Sequence, residues 1–307
     1  MKNTINFYYN IFLDELIKKD NCYYFYYDGD EYYFVPLNRP YDDVQSIYKL
    51  NLEMKKRRCL VHELVLNKDK SIITVVNGIS YVLIKLCKYK NDKVFLNDIN
   101  YIQNMTVNIE CDKSLVRNDW IKLWSEKIDY YEYQISQVGK KYPLLCDSLS
   151  YFIGMGENAI SYLVNNLDSK TNVNLVVSHK RIYQERGSLN FYDPLNFVVD
   201  SRVRDVAEFI KETFYNKTLN LYDLKSYFNM ANLTKNEYIL LLGRLLFPTY
   251  YFDIYDDIIN KGKSEELVIN IIDRTDEYES LLNTIYKFIL YEKKARLEPI
   301  EWLQDKN

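Results

Sequence analysis

The chain has 307 residues, which is long enough for two domains or for one domain of two lobes. Its 40 Lys and Arg nearly balance its 43 Asp and Glu, and this weak net charge argues against a nucleic acid as the main partner. The 2 His and the 5 scattered Cys, which form no C-x-x-C pair, exclude a His-rich metal site and give no sign of a disulfide frame or zinc knuckle.

The N-terminal stretch has apolar residues at mixed helical spacing between residues 5 and 18, which predicts an amphipathic opening helix. Acidic residues interrupt this stretch, so it does not look like the core of a signal peptide. No other stretch is long and apolar enough for a membrane span. We therefore expect a cytoplasmic protein without a membrane partner.

The first ninety residues read as a β-rich region. The segment "CYYFYYDGDEYYFVPL" at 22–37 places Asp28-Gly29 between two aromatic runs, which predicts a hairpin with a tight turn. A helix is predicted over 41–58, with acids near its start and basic residues at its end. Two or three further strands follow, with turns at 67–70 and at Asn77-Gly78. The predicted order is ββαβββ.

From about residue 110 the apolar residues repeat with a helical period. The pattern predicts a long helix that stops near Gly139 and another over 143–166, where Gly154 and Gly156 indicate a bend or close packing. Further helices are predicted over 201–216, 221–230, 234–260, interrupted by Pro248, and 264–294. The prediction is an α+β protein of two lobes, a β-rich lobe over 1–92 and a helical lobe over 93–307.

Three motifs of the second half occur in a recognisable order. They are "ENAISYL" at 157–163, "HKRI" at 179–182 and "DSRVRDVAEFI" at 200–210. With the element order, they resemble the protein-kinase-like phosphotransferases of the aminoglycoside phosphotransferase group, and best the divergent spore-coat kinase-like branch. The resemblance implies a protein-kinase-like two-lobe fold. It also gives structural roles to Glu157, Asn158 and Asp205, the last as a brace for the catalytic-loop backbone.

The resemblance allows the catalytic groups to be checked by position. Kinase-like transfer uses a carboxylate to orient the acceptor hydroxyl, and a carboxylate and an amide to hold Mg²⁺. In the aligned loop, Arg181 stands in place of the first carboxylate and Arg186 in place of the amide. An arginine cannot accept a proton. We therefore expect degenerate positions at His179, Arg181 and Arg186, with His179 orienting the loop through backbone hydrogen bonds.

The metal-binding position has two interpretations that the residues leave open. Asp193, in "FYDPLNF", has the address of the family's metal-binding aspartate, and it also suits a turn former before Pro194. Asn190 could replace the missing amide only if a gap is placed in the alignment by hand. Asp193 is thus the one candidate metal ligand.

The phosphate-binding groups of the family are also missing from their expected positions. The strand position for the lysine carries Val35 or Leu37, and Arg39 is expected beyond the strand. Without that lysine, Glu53 reads as a solvated residue of a helix face. No glycine loop cradles a phosphate. We therefore assign no cofactor-binding residue and expect no cofactor.

The leading hypothesis is a catalytically degenerate kinase-like protein, a pseudokinase, that acts as a binding or scaffolding module. The resemblance suggests association with the spore coat and protein partners there, while Arg181 and Arg186 favour an anionic ligand. The alternative is an active small-molecule or sugar phosphotransferase that uses Mg-ATP with relocated catalytic residues. A third hypothesis is a purely structural protein with a Tyr-rich surface, given its 31 Tyr.

Overall fold

A computed structural model describes residues 1–89, 91–168, 173–185, 187–300 and 303. The chain divides into two compact units. The first unit contains Met1–Arg117 and Leu175–Asp200, and the second contains Asn118–Asn174 and Ser201–Asn307. The lobe boundary predicted between residues 92 and 93 falls within the first unit, and the division into those two lobes stays a prediction.

The helices and strands alternate in the first third of the chain and become mainly helical afterwards. The elements begin with α1 (Lys2–Tyr9), β1 (Ile17–Lys19), β2 (Cys22–Tyr27), β3 (Asp30–Pro36), α2 (Tyr41–Lys56), β4 (Glu63–Val65), β5 (Ile73–Val76), β6 (Ile79–Lys85) and α3 (Leu96–Met105). They continue with α4 (Trp120–Val138), α5 (Pro143–Asn166), β7 (Leu175–His179), α6 (Gly187–Phe191), β8 (Phe197–Ser201), α7 (Val203–Tyr215), α8 (Leu221–Ala231), α9 (Lys235–Leu246), α10 (Thr249–Lys261), α11 (Ile269–Ile272) and α12 (Thr275–Tyr291).

An antiparallel sheet forms the body of the first unit, with the strand order β1-β2-β3-β6-β4 and with β5 also paired to β6. The predicted hairpin is confirmed, since β2 and β3 pair around Asp28 and Gly29, whose φ angles are 49° and 78°. The second predicted turn, at Asn77 and Gly78, likewise has φ angles of 51° and 78°. Both turns follow directly from short sequence patterns.

The predicted opening helix over 5–18 is wrong in its second half. Helix α1 ends at Tyr9 because Asn10 takes a left-handed conformation, with φ of 54°. Ile11 and Leu13 then enter the apolar core beside Phe34, and the chain continues into the short edge strand β1. The burial of Ile11 and Leu13 in this core therefore outweighed the helical spacing of the apolar residues in the stretch.

Helix α3 was missed at the sequence level, and the predicted helix over 264–294 is broken. A 3-10 turn over Glu265–Val268 and the short helix α11 precede α12. The predicted interruption at Pro248 is confirmed, because α9 ends at Leu246 and α10 begins at Thr249. A proline lacks the amide hydrogen that a continuous helix would need.

The core of the second unit is a packing of helices α4, α5, α7 and α9. Gly156 of α5 provides the close packing predicted from sequence, since a Cβ there would lie 2.9 Å from Ile128 Cδ1. Trp124 stacks on Phe247, with 4.3 Å between the ring centroids. Among the helices of the described residues, none combines the length and the apolar composition that crossing a membrane would need.

Candidate functional site

The two strands that flank the predicted catalytic segment bring its ends together. Strand β7 ends at His179 and pairs with β8, which begins at Phe197. The backbone N–H of Lys180 donates to the carbonyl oxygen of Asn196 over 2.9 Å. The region between these strands therefore places the 179–181 motif beside the turn that follows Asp193.

His179 is fully buried and holds this segment from inside. Its Nε2 donates to the backbone carbonyl of Phe191 over 2.7 Å, and its ring stacks on the Phe191 ring with 4.3 Å between centroids. A histidine fixed in this way positions the backbone between the two strands. The loop-orienting role expected of His179 from sequence stays a prediction.

Asp193 stabilises a local turn. Its Oδ1 accepts a hydrogen bond of 2.9 Å from the backbone N–H of Leu195 and caps the 3-10 turn Pro194–Asn196. Burial raises the pKa of the Asp193 carboxyl to about 6, even though this hydrogen bond and nearby cations favour the charged form. The turn-forming interpretation thus has a direct structural counterpart, while the role of metal ligand stays a prediction.

The position that the resemblance assigns to a catalytic carboxylate carries a half-buried guanidinium. Arg181 Nη1 donates to the backbone carbonyl of Lys180 over 2.7 Å, and the side-chain amide of Asn196 donates to the carbonyl of Arg181 over 3.1 Å. The Asn190 amide donates to the carbonyl of Glu185 over 2.9 Å. Arg186, the other substituted position, lies outside the described residues.

Arg39 reaches the same segment, although sequence reasoning set it aside. It lies beyond β3, as expected, but its side chain is only 7 % exposed. Its Nη1 donates to the carbonyl oxygens of Phe197 and Leu195 over 2.7 and 3.3 Å. An arginine four positions before an acid in the first turn of a helix, here Asp43, was the available sequence signal.

Two more basic residues, Arg117 and Lys180, interact electrostatically with Arg39. The backbone N–H of Arg117 donates to the carbonyl of Val199 over 2.9 Å, next to the parallel bridge between Val116 and Val199. Burial, together with repulsion from Arg39 and Arg117, lowers the pKa of the Lys180 amine to about 8. The environment of Asp193 is therefore rich in positive charge.

This environment does not fit a magnesium site. Mg²⁺ needs near-octahedral oxygen ligands and is usually held by one or two carboxylates together with phosphates and water. Asp193 instead faces Arg39 and Lys180, whose charges favour its anionic form without offering oxygen ligands. A divalent cation placed beside Asp193 would meet the repulsion of the guanidinium and the amine.

The segment that follows β6 is hydrogen-bonded to helix α6. Ser188 N–H donates to the carbonyl of Asn91 over 2.8 Å, and Asn91 N–H donates to Ser188 Oγ over 3.0 Å. Buried His62 joins both regions, since its Nε2 donates to the Leu189 carbonyl over 3.2 Å and its Nδ1 accepts from Cys87 N–H over 3.1 Å. Burial lowers the pKa of His62 to about 4, so it is neutral here.

The remaining predicted residues lie elsewhere. Glu53 pairs on its own helix with Lys56 over 2.9 Å, which agrees with a residue of a solvated helix face. Glu157 and Asn158 are on the exposed side of α5, and Asp205 is buried in the first turn of α7. Structural roles for these three side chains stay predictions.

The fold matches that of known phosphotransferases. A crystal structure of an aminoglycoside phosphotransferase from Alicyclobacillus acidocaldarius subsp. acidocaldarius DSM 446 is similar with a TM-score of 0.65 and 10% identity, over 92% of this chain and 94% of that one. Spectinomycin phosphotransferase, crystallised with ADP and spectinomycin, gives a TM-score of 0.58 at 10% identity, over 86% and 89% of the two chains. The fold is therefore protein-kinase-like, as predicted, with a small antiparallel sheet and a mainly helical remainder.

The sequence identifies the family more narrowly. Residues 2–285 match the family described as "Spore coat putative kinase YutH", and the chain belongs to this family. The endospore coat-associated protein YutH of Bacillus subtilis (strain 168) is 30% identical over 207 residues, which are 60% of this chain. The match spans 61% of that relative's length.

Proposed function

We propose that this protein is a kinase-like module that has lost phosphoryl transfer and serves as a binding or scaffolding component associated with the spore coat. The proposal combines the family with the chemistry around Asp193. The description of its family names both the spore coat and a putative kinase. The two parts of that description are separable, because a fold can keep a binding role after its catalytic groups are replaced.

The observation that carries the proposal is the charge around Asp193. Phosphoryl transfer depends on metal ions that neutralise the phosphates and on a carboxylate that orients the acceptor. Here Arg181 stands at the aligned carboxylate position, and Arg39 is buried against the turn that follows Asp193. Single groups that stabilise charge in a transition state are worth about 10²–10³ in rate, so losing several together removes the family mechanism.

Spore-coat association rests on the family and its curated relative. The name of that relative states coat association for the Bacillus subtilis protein. For the present chain we infer protein partners in the coat. Immunogold labelling of spore sections would locate the protein, and its absence from the coat layers would contradict this part of the proposal.

Calorimetric titration with Mg-ATP tests the loss of phosphoryl transfer. We expect no Mg²⁺-dependent binding of ATP and no ADP release above background, because the cations around Asp193 repel Mg²⁺. An active aminoglycoside phosphotransferase titrated in the same buffer is the positive control. Binding in the absence of metal does not bear on this test.

Mg²⁺-dependent nucleotide binding that disappears in a folded Asp193→Ala variant would contradict the proposal. It would favour the active small-molecule or sugar phosphotransferase. Circular dichroism of the variant separates loss of binding from loss of fold.

A further inference from the structure

Two donors of the Arg39 side chain find no hydrogen-bond partner among the described residues. Nε and Nη2 are buried and form no hydrogen bond with any described residue, while Nη1 alone binds the carbonyls of Leu195 and Phe197. Nε forms an ion pair with Asp43, whose Oδ2 lies 3.6 Å away and is too distant for a hydrogen bond. Leaving charged donors buried without partners is costly. The fold therefore keeps an arginine edge that a ligand could satisfy.

The two donors that lack a hydrogen bond to a described residue lie on the same edge of the guanidinium. Nε and Nη2 point in parallel from the planar group, and this pair binds two oxygens of a carboxylate or phosphate at once. The opposite edge is anchored, because Nη1 holds the backbone on both sides of Asn196. The guanidinium is thus fixed by its protein contacts before any ligand arrives, which lowers the entropy cost of binding.

The surrounding charges favour an anion. Arg117 and Lys180 repel Arg39 and each other, and the opposing carboxylates in reach are Asp43 and Asp193. Among the described residues that these interactions involve, three cations thus face two carboxylates. Burial lowers the pKa of Arg39, and Arg117 lowers it further. An oxyanion at the Nε and Nη2 edge of Arg39 would relieve this repulsion, as would be expected for a binding site rather than a closed ion-pair network.

We propose that Arg39, with Lys180 and Arg117, forms a metal-independent binding site for a phosphate-type oxyanion. The phosphoryl group can be free phosphate or part of a small phosphate ester, since the guanidinium edge recognises only its oxygens. This site rests on the proposed function and extends it, because it specifies the class of ligand that the degenerate kinase-like module would bind. The sequence suggested Arg181 and Arg186 as the groups that favour an anion; that expectation stays a prediction, and the site proposed here centres on Arg39.

The test is calorimetric titration of the full chain with inorganic phosphate in the presence of EDTA. We expect saturable binding to the wild-type protein and at least about tenfold weaker binding to Arg39→Gln, since a bidentate charged contact is lost. Arg57→Gln is the matched control. Arg57 belongs to the same unit and also donates to a backbone carbonyl, that of Val107 over 2.9 Å, yet it should leave phosphate affinity unchanged.

A second variant guards against misfolding of Arg39→Gln. Lys180→Gln acts on a half-buried amine and should weaken phosphate binding several-fold while the protein stays folded. Titration with AMP in EDTA distinguishes the two sources of the phosphoryl group. Arg39-dependent binding of either probe supports the site, and AMP that binds much more tightly than phosphate identifies an ester as the ligand.

Two results would overturn the site. One is the absence of binding of both phosphate and AMP at tens of millimolar in EDTA. The other is binding that Arg39→Gln and Lys180→Gln leave unchanged. Neither result would restore kinase activity, which only Mg²⁺-dependent ATP binding or turnover would show, so the two proposals fail separately.

Discussion

Replacing Glu208 by Ala should lower the free energy of unfolding by about 3–5 kcal/mol, because the change breaks a buried ion cluster and leaves its cations behind. Glu208 Oε1 accepts a hydrogen bond from Arg244 Nε over 2.9 Å and lies 3.6 Å from Lys211 Nζ. All three side chains are almost completely buried. The Arg244 guanidinium also lies 4.9 Å from the ring centroid of Trp120, which holds it in place.

Urea denaturation followed by circular dichroism measures this loss. Glu126→Ala is the matched control, because Glu126 forms an exposed pair with Lys122 over 3.9 Å and should cost less than about 1 kcal/mol. A Glu208→Ala variant as stable as Glu126→Ala would show that the buried cluster contributes little.

Gly187→Ala should destabilise the first unit by roughly 3 kcal/mol or more, because steric overlap adds to an unfavourable backbone conformation. Gly187 has a φ of 37°, and a Cβ there would lie 2.1 Å from the carbonyl oxygen of Asn91. The backbone cannot yield easily at this point, since Asn91 also exchanges hydrogen bonds with Ser188. The substitution should therefore detach α6 from the segment that follows β6.

Thermal unfolding and amide hydrogen exchange at residues 187–192 measure this effect. Gly78→Ala separates the two causes, because Gly78 has a φ of 78° but no atom within 4 Å of an added Cβ. That control should cost only about 1–2 kcal/mol, the penalty of the conformation alone. Equal losses in both variants would show that the contact with Asn91 has no energetic role.

Short sequence patterns predicted the parts of the fold that depend on local chemistry. The Asp28-Gly29 hairpin and the break at Pro248 both follow from the conformations that glycine and proline favour or forbid. The opening helix was overextended because helical spacing cannot reveal that Ile11 and Leu13 are needed in the core of the sheet. Burial of that kind is decided by residues far away in sequence.

The candidate site shows the same difference between local contacts, which the sequence could predict, and contacts between distant residues, which it could not. The motif resemblance placed His179 and Asp193 in one segment, and the structure adds their local contacts with Phe191 and Leu195. The resemblance could not identify Arg39 as part of the site, because the carbonyls that hold this side chain are 156 and 158 positions away in sequence. An arginine in a loop reads as a surface charge until tertiary structure buries it.

The central claim is that the charges around Asp193 favour an anion over a metal ion. The Asp193→Asn variant tests this claim directly. An asparagine keeps an oxygen that can cap the turn at Leu195, but it removes one negative charge from the neighbourhood of Arg39 and Lys180. Calorimetry with phosphate in EDTA should show affinity higher by roughly three- to tenfold in the variant. Weaker phosphate binding in Asp193→Asn, or Mg²⁺ that tightens binding to the wild type alone, would contradict the account.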